Sequence, residues 1–306
     1  TFLSKGAAER GAGRPAGVPK TEFKKIGVLG AGMMGAGIAL VSAQAGVDVI
    51  LIDRDVESAT KGKAYSETVL GKQITRGTMT QDKADAIVAR IKPTDNFALL
   101  EGCDLIIEAV FEDIDIKAET TRKAEAIIPS TTVYASNTST LPISTLAEAS
   151  ARPDQFIGLH FFSPVDRMGL VEIIKGAKTS PATLAVALDF VAKLRKTPIV
   201  VNDSRGFYTS RVFQTLIHEG GAMLGEGVPP AVIENAAKAV GMPVGPLALL
   251  DELTFDLPLK IVEQAIEQEG SKYIVPAGVS AMKKMKAQGR SGRKTGGGFY
   301  EYPAEG

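Results

Sequence analysis

Gly30-Ala31-Gly32-Met33-Met34-Gly35 is the stretch on which the fold turns. It follows a short apolar run, Lys25 to Leu29, and opens Ala36 to Ala45, a segment that reads as a helix. Each glycine answers a separate physical need: one for the tight turn, one so that backbone can approach a pyrophosphate, one for close packing of helix on strand. The helix N-terminus then presents unpaired N–H groups and its positive dipole end to phosphate oxygens. Glycine is abundant in this chain, 32 of 306 residues, so the motif by itself also reads as an ordinary turn.

Asp53 decides between these readings. It ends the next apolar run, Val49-Ile50-Leu51-Ile52-Asp53, 23 residues after Gly30, where a carboxylate would accept hydrogen bonds from the adenosine ribose hydroxyls. Its charge would repel a 2′-phosphate, which favours NAD over NADP, whereas Arg54 beside it could pair with that phosphate. Strand, turn, helix, strand and acid in this order predict a dinucleotide site built from Gly30, Gly32, Met33, Met34, Gly35 and Asp53.

Outward from this site, further short runs rich in Val and Ile alternate with helix-period segments: Asp104 to Val110, Thr132 to Ser136, Phe156 to Phe162, Leu170 to Ile174 and Pro198 to Val201. The alternation predicts an α/β, Rossmann-like, doubly wound and mostly parallel sheet over residues 23–203. Seven residues between Phe162 and Leu170 are too few for a crossover helix, so those two strands are expected to pair antiparallel. From 204 to 306 the texture is helical, with segments Phe207 to Leu224, Pro229 to Val240, Pro246 to Glu269 and Ala277 to Gln288 forming a smaller all-helical domain. Residues 1–22, rich in Gly, Ala and Pro, read as a linker or exposed arm, the severed edge of a longer polypeptide.

Composition narrows the function. The 35 basic and 35 acidic residues cancel, so no bulk attraction recruits nucleic acid or an anionic membrane, and phosphates must be met locally. A lone cysteine, Cys103, excludes an intramolecular disulfide and a Cys-rich metal site, and no metal site is expected. No apolar run approaches the roughly 18 residues of a membrane span, and no signal pattern opens the chain, which predicts a soluble, non-secreted protein. Only two histidines, His160 and His218, are available for imidazole chemistry.

His160 lies in Gly158-Leu159-His160-Phe161-Phe162-Ser163-Pro164, near the end of one hairpin strand, and Glu172 lies in the other. Facing each other, the carboxylate would fix the imidazole tautomer and leave the second nitrogen as a base, the arrangement that oxidation of a secondary alcohol requires. A packed core histidine with Glu172 on a solvated edge is the competing reading. His218, on a helix without a distinctive partner, reads as a packing or surface residue. Ala135-Ser136-Asn137-Thr138-Ser139-Thr140 follows a strand, where its hydroxyls could hold a substrate oxygen or simply cap a helix.

At this point the motifs GVLGAGMMGAGIA, IIEAVFED, ASNTST, GLHFFSPV with VEII, DSRGF, GMPVGPLALLDE and GRKTGGGFY together resemble, in order and spacing, the L-3-hydroxyacyl-CoA dehydrogenase family. The resemblance runs from Phe23 to about Tyr302 and is most like the dehydrogenase portion of multifunctional fatty-acid oxidation complex α subunits. It implies a fragment lacking the hydratase/isomerase domain and the second helical repeat of those enzymes. It also implies NAD as cofactor, an acyl-CoA substrate, fatty-acid β-oxidation as the setting, and the cytoplasm or an organelle matrix as the location. A homodimer through the helical domain and a thiolase subunit in the intact complex are the expected partners.

Residue by residue, the resemblance assigns His160 as catalytic base, Glu172 as its partner and Ser139 as the serine bonded to the substrate's 3-oxygen. Asp53 matches the ribose ligand, and Ala109, Glu112, Lys117 and Asn137 match positions lining the cofactor. Ser163 and Ser210, expected near the substrate, stand where the family's HFFNP and GFxxNR motifs carry asparagine, and Thr254 stands where a glycine is usual. A β-hydroxyacid dehydrogenase acting on free acids and an NAD-binding fragment impaired in turnover are the alternatives to weigh.

Overall fold

The structure, a computed structural model, describes residues 2–303. Eight strands form in chain order: β1 (Lys25–Leu29), β2 (Asp48–Ile52), β3 (Ile91–Thr94), β4 (Leu105–Glu108), β5 (Val133–Ser136), β6 (Phe156–Phe161), β7 (Leu170–Lys175) and β8 (Thr197–Asn202). They make one sheet ordered β3-β2-β1-β4-β5-β6-β7-β8. Strands β1 to β6 are mutually parallel, β7 runs antiparallel to β6, and β8 pairs parallel with β7. The first six follow the doubly wound order with its switch between β1 and β4, so the carboxyl ends of those strands border a ligand crevice.

The strands form because their Val, Ile and Leu side chains are buried on both faces, as parallel sheets require. One layer holds Ile26, Val28, Val49, Leu51, Leu105 and Ile107, the other Leu29, Ile50, Ile52, Ile106, Tyr134 and Phe156. Helices cover both faces: α1 (Phe2–Glu9), α2 (Met33–Gln44), α3 (Val56–Thr75), α4 (Gln81–Ala89), α5 (Ile114–Glu125), α6 (Ile143–Leu146) and α7 (Pro181–Lys193). Cys103 is buried in the second layer, and burial pushes its thiol up to about 11.

Three sequence expectations change. Residues 1–22 are no free arm: Phe2–Glu9 is a helix beside β8, where Thr197 Oγ1 donates to Glu9 Oε1 at 2.7 Å. Behind it, Arg14 grips Asp189 with two bonds, Nε to Oδ1 at 2.7 Å and Nη2 to Oδ2 at 2.9 Å. Eight residues are too few for a helix to stand alone, so this one owes its existence to packing, which composition does not reveal. The short strand Ile91-Lys92-Pro93-Thr94 also went unread, because Pro93 and an exposed Lys92 break the apolar pattern at what is an edge position.

The third change lies in the second unit. The chain divides after Tyr208, and residues from Thr209 onward pack as helices α8 (Thr209–Gly225), α9 (Pro230–Ala239), α10 (Pro246–Leu253), α11 (Asp256–Glu269) and α12 (Gly278–Ala287). Its core joins Ile217, Leu250, Phe255, Leu259, Val262, Val279 and Met282. The expected single helix from Pro246 to Glu269 is two, broken at Thr254, whose φ of +64° and ψ of 150° lie outside the helical region. A β-branched residue in that conformation is strained, and glycine is the residue that adopts it freely. Among the described residues no helix is long and apolar enough to cross a membrane.

Candidate active site

The three glycines of the glycine-rich turn have different surroundings. Gly30 has φ +93°, and a Cβ there would stand 2.5 Å from the Ala109 carbonyl oxygen at the end of β4. A Cβ at Gly35 would stand 1.7 Å from the Gly30 carbonyl, so α2 packs on its own turn through bare backbone. At Gly32, by contrast, a Cβ would meet nothing within 4 Å. Two glycines are thus required by the fold, and the third leaves open space at the start of α2, where a phosphate would meet the helix N-terminus.

Asp53 closes the turn from β2. Its Oδ2 accepts from Ala31 N at 2.6 Å and its Oδ1 from Arg54 N at 2.7 Å. Arg54 in turn donates from Nε to Asp55 Oδ2 at 3.1 Å, while Asp55 Oδ1 caps α3 by accepting from Ser58 N at 2.7 Å. That bond from Ser58 is the main reason the Asp55 carboxyl lies below its ordinary range. The guanidinium that could favour a 2′-phosphate is therefore engaged by an acid of its own. Turn, open glycine and acid together fit an adenine dinucleotide without a 2′-phosphate.

Beyond β4 lies a buried charge cluster that sequence reading grasped only in part. Glu108 and Lys117 are each 1% exposed and paired at 2.7 Å. Glu108 also accepts from Val110 N at 2.8 Å and Ser136 Oγ at 2.7 Å, so both its oxygens are satisfied, as a buried carboxylate requires. Lys117 reaches Glu112 Oε2 at 3.4 Å. Glu112 Oε1 gathers Thr138 Oγ1 at 2.6 Å, Ser139 N at 3.0 Å and Thr140 N at 3.2 Å. Burial alone would raise the Glu112 carboxyl, but Lys117 and these donors outweigh it and hold the carboxyl below its ordinary range. The signal for Glu108 was available: an acid inside the apolar run Leu105-Ile106-Ile107-Glu108, with a lysine nine residues later.

His160 and Glu172 are register partners across β6 and β7. The Nδ1 of His160 and Oε2 of Glu172 lie 2.7 Å apart, with the residues 7% and 0% exposed. The carboxylate accepts, so Nδ1 carries the proton and Nε2 keeps its lone pair. The Gly206-Phe207 turn, with φ +73° and +48°, brings Tyr208 N to 3.1 Å from Glu172 Oε1 and the Phe207 ring to 6.1 Å from the imidazole. Phe162 covers the imidazole at 4.4 Å. A buried base with an oriented free nitrogen can take a proton from an alcohol held above it.

The remaining predicted residues separate into groups. Asn137 Oδ1 accepts from Phe161 N at 2.9 Å and ties the end of β5 to the histidine strand. Ser139 is exposed, its Oγ 3.4 Å from Glu112 Oε1, on the loop that follows β5. Ser163 Oγ reaches Met33 Sδ at 3.6 Å, which joins the histidine loop to the glycine-rich turn. Met33 is 68% exposed and Met34 half-buried at the start of α2, and Ala109, the residue after β4, lies against Gly30. Ser210 belongs to α8 of the second unit. His218 also lies on α8, and burial lowers its pKa. Among the described residues no group of three or more His, Cys, Asp or Glu could hold a metal ion.

Comparison with known proteins adds an independent line. Residues 25–204 match the family model "3-hydroxyacyl-CoA dehydrogenase, NAD binding domain" and residues 206–302 match "3-hydroxyacyl-CoA dehydrogenase, C-terminal domain". A fatty acid oxidation complex subunit alpha from a Shewanella species is 40% identical over 289 residues, 94% of this chain; the chain spans 40% of that protein's length. Among solved structures, (S)-3-hydroxybutyryl-CoA dehydrogenase PaaH1 from Ralstonia eutropha is 36% identical, with a TM-score of 0.85 over 92% of this chain and 100% of that one. A 3-hydroxybutyryl-CoA dehydrogenase from Escherichia coli superposes with a TM-score of 0.86 at 29% identity, over 94% of this chain and 61% of that one. A Rossmann-like sheet with its dinucleotide turn, a helical second unit and matches to both family models converge: the chain belongs to the 3-hydroxyacyl-CoA dehydrogenase family and carries its NAD-binding domain.

Proposed function

We propose that this chain oxidises (3S)-3-hydroxyacyl-CoA to 3-oxoacyl-CoA, with His160 as general base. The observation that carries the proposal is the buried Nδ1 to Oε2 bond of 2.7 Å, which commits one imidazole nitrogen and frees the other. His160 Nε2, the nitrogen left with its lone pair, would take the proton of the substrate's 3-hydroxyl, while NAD, when bound, would accept the hydride from C3. Glu172 offsets the charge of the imidazolium formed, and the low-dielectric setting strengthens that attraction.

Asp53 would hold the adenosine ribose hydroxyls, and the N–H groups opening α2 at Gly32 would hold the pyrophosphate. Glu112, Lys117 and Asn137 would border the nicotinamide half. Ser139 donates to the C3 oxygen, and Ser163, shorter than the asparagine of the family motif, orients the acyl thioester less tightly. The family's two matched domains and neighbours named for 3-hydroxybutyryl-CoA support the substrate class. Relatives named as subunits of a fatty acid oxidation complex support a place in fatty-acid β-oxidation beside partner enzymes; with it go, as the family resemblance implies, a thiolase subunit, a homodimer through the helical unit, and the cytoplasm or an organelle matrix as the location. Purified chain given NAD and 3-hydroxybutyryl-CoA or longer homologues is expected to produce NADH absorbance. Measurable NAD binding with no NADH at any chain length overturns the proposal.

A further inference from the structure

The loop 162–169 between β6 and β7 is fastened from several elements at once. Lys196, at the junction of α7 and β8, donates from Nζ to the Val165 carbonyl at 2.7 Å and the Met168 carbonyl at 2.6 Å. Tyr65 of α3 donates its hydroxyl to Asp166 Oδ1 at 2.9 Å. Val165 sits in the notch left by Gly37 of α2, where a Cβ would come within 2.8 Å of it. Thr197 N donates to the Gly169 carbonyl at 2.7 Å.

Lys196 is the unusual member. It is 7% exposed, and among the described residues no carboxylate lies within ion-pair distance of it; Asp166 acts on it only through space. Burying an ammonium is expensive unless its hydrogens are bonded, and an apolar side chain would fill the same volume without that cost. What the ammonium supplies, and an apolar side chain would not, is two bonds to loop carbonyls. The loop it holds begins with Phe162, whose ring covers His160 at 4.4 Å, and Ser163, whose hydroxyl meets Met33 of the glycine-rich turn.

We propose that Lys196 is a positioning residue: its ammonium pins the 162–169 loop so that Phe162 stays on the His160 imidazole and Ser163 stays on the cofactor turn. The inference rests on the activity proposed above for its kinetic consequence, though not for its structural one. Small displacements at a reacting centre cost one to two orders of magnitude in rate, so Lys196→Met should lower kcat by about tenfold or more while the KM for NAD changes by less than about threefold.

A second readout is independent of turnover. His160 and His218 are the only imidazoles, so the His160 ring protons can be followed by NMR, with His218→Asn removing the other set. In folded Lys196→Met those resonances should move, because the Phe162 ring no longer sits at a fixed distance. A folded variant with wild-type kcat and unmoved His160 resonances overturns the proposal. If Lys196→Met does not fold, Tyr65→Phe, which removes a bond to the same loop from a half-buried side chain, should lower kcat by about threefold and move the same resonances; no change in either also overturns it. Failure of the wild-type chain to oxidise any hydroxyacyl-CoA would sink the activity and leave the resonance comparison to decide the role of Lys196.

Discussion

His160 and Glu172 oppose each other directly across the antiparallel pairing of β6 and β7, their Nδ1 and Oε2 atoms 2.7 Å apart in the sheet interior. The pair is held by strand register rather than by a loop, so its geometry exists before any ligand arrives. His160→Gln should lower kcat by about a hundredfold or more, the usual worth of a positioned general base. Glu172→Gln should lower it by a similar order by losing the carboxylate that selects the tautomer. NADH formation from a 3-hydroxyacyl-CoA measures both, and an unchanged rate in His160→Gln removes the base assignment.

The glycine turn predicts opposite outcomes for two like substitutions. Gly35→Ala forces a Cβ to 1.7 Å from the Gly30 carbonyl and should cost about 3 kcal/mol or more in urea unfolding. Gly32→Ala points a Cβ into open space, so the protein should unfold at wild-type denaturant concentration yet bind NAD at least about tenfold more weakly. Retained NAD affinity in folded Gly32→Ala would remove the phosphate from that position.

Glu112 gives a pH dependence with a definite sign. Its folded-state pKa is depressed by Lys117 and by donors from residues 138–140 despite burial. The hold of Glu112 on the loop is therefore fully present above the unfolded value of about 4.3 and lost as pH falls through the lower folded value. The Ser139 and Thr140 amide resonances, both donors to Glu112 Oε1, should titrate with a midpoint below that of an ordinary glutamate. Glu112→Gln should abolish the transition, and a midpoint at or above the ordinary value contradicts the assignment.

Thr254 carries backbone strain at the break between α10 and α11, with φ +64° and ψ 150°. Relief of strain in this glycine-favouring region outweighs the greater freedom of glycine in the unfolded chain. Thr254→Gly should stabilise the helical unit by about 1 kcal/mol, read as a higher midpoint in thermal or urea unfolding. A lower midpoint would show that the Thr254 side chain contributes more than its backbone loses.

Much of this architecture was legible because its signals are side chains. Seven of the eight strands announce themselves as runs of Val, Ile and Leu, and the short link from Phe162 to Leu170 sufficed to pair β6 and β7 antiparallel. That hairpin allowed His160 to face Glu172 beside a reading with Glu172 on a solvated edge; the register pairing and the burial of Glu172 decide between them. What escaped depends on backbone or on distant packing. The β3 edge has Pro93 and one exposed lysine in four residues, and α1 is helical only because it lies against β8. The break at Thr254 is a φ angle, to which a β-branched residue gives no clue. Tyr208 serves Glu172 through an amide that every residue but proline possesses, and Asp203 caps α6 by accepting from Ile143 N and Ser144 N, 60 and 59 residues away.

Cys103 has a practical consequence. Burial pushes its thiol up to about 11, so at pH 7 the sulfur is held as the unreactive thiol, buried in the second core layer. A cysteine introduced on the surface, at an ordinary pKa of about 8.5 and open to reagent, should be alkylated in preference to it. The wild-type chain is thus a ready background for single-site labelling, in which a fluorophore or spin probe reports from the chosen position while the native thiol stays silent.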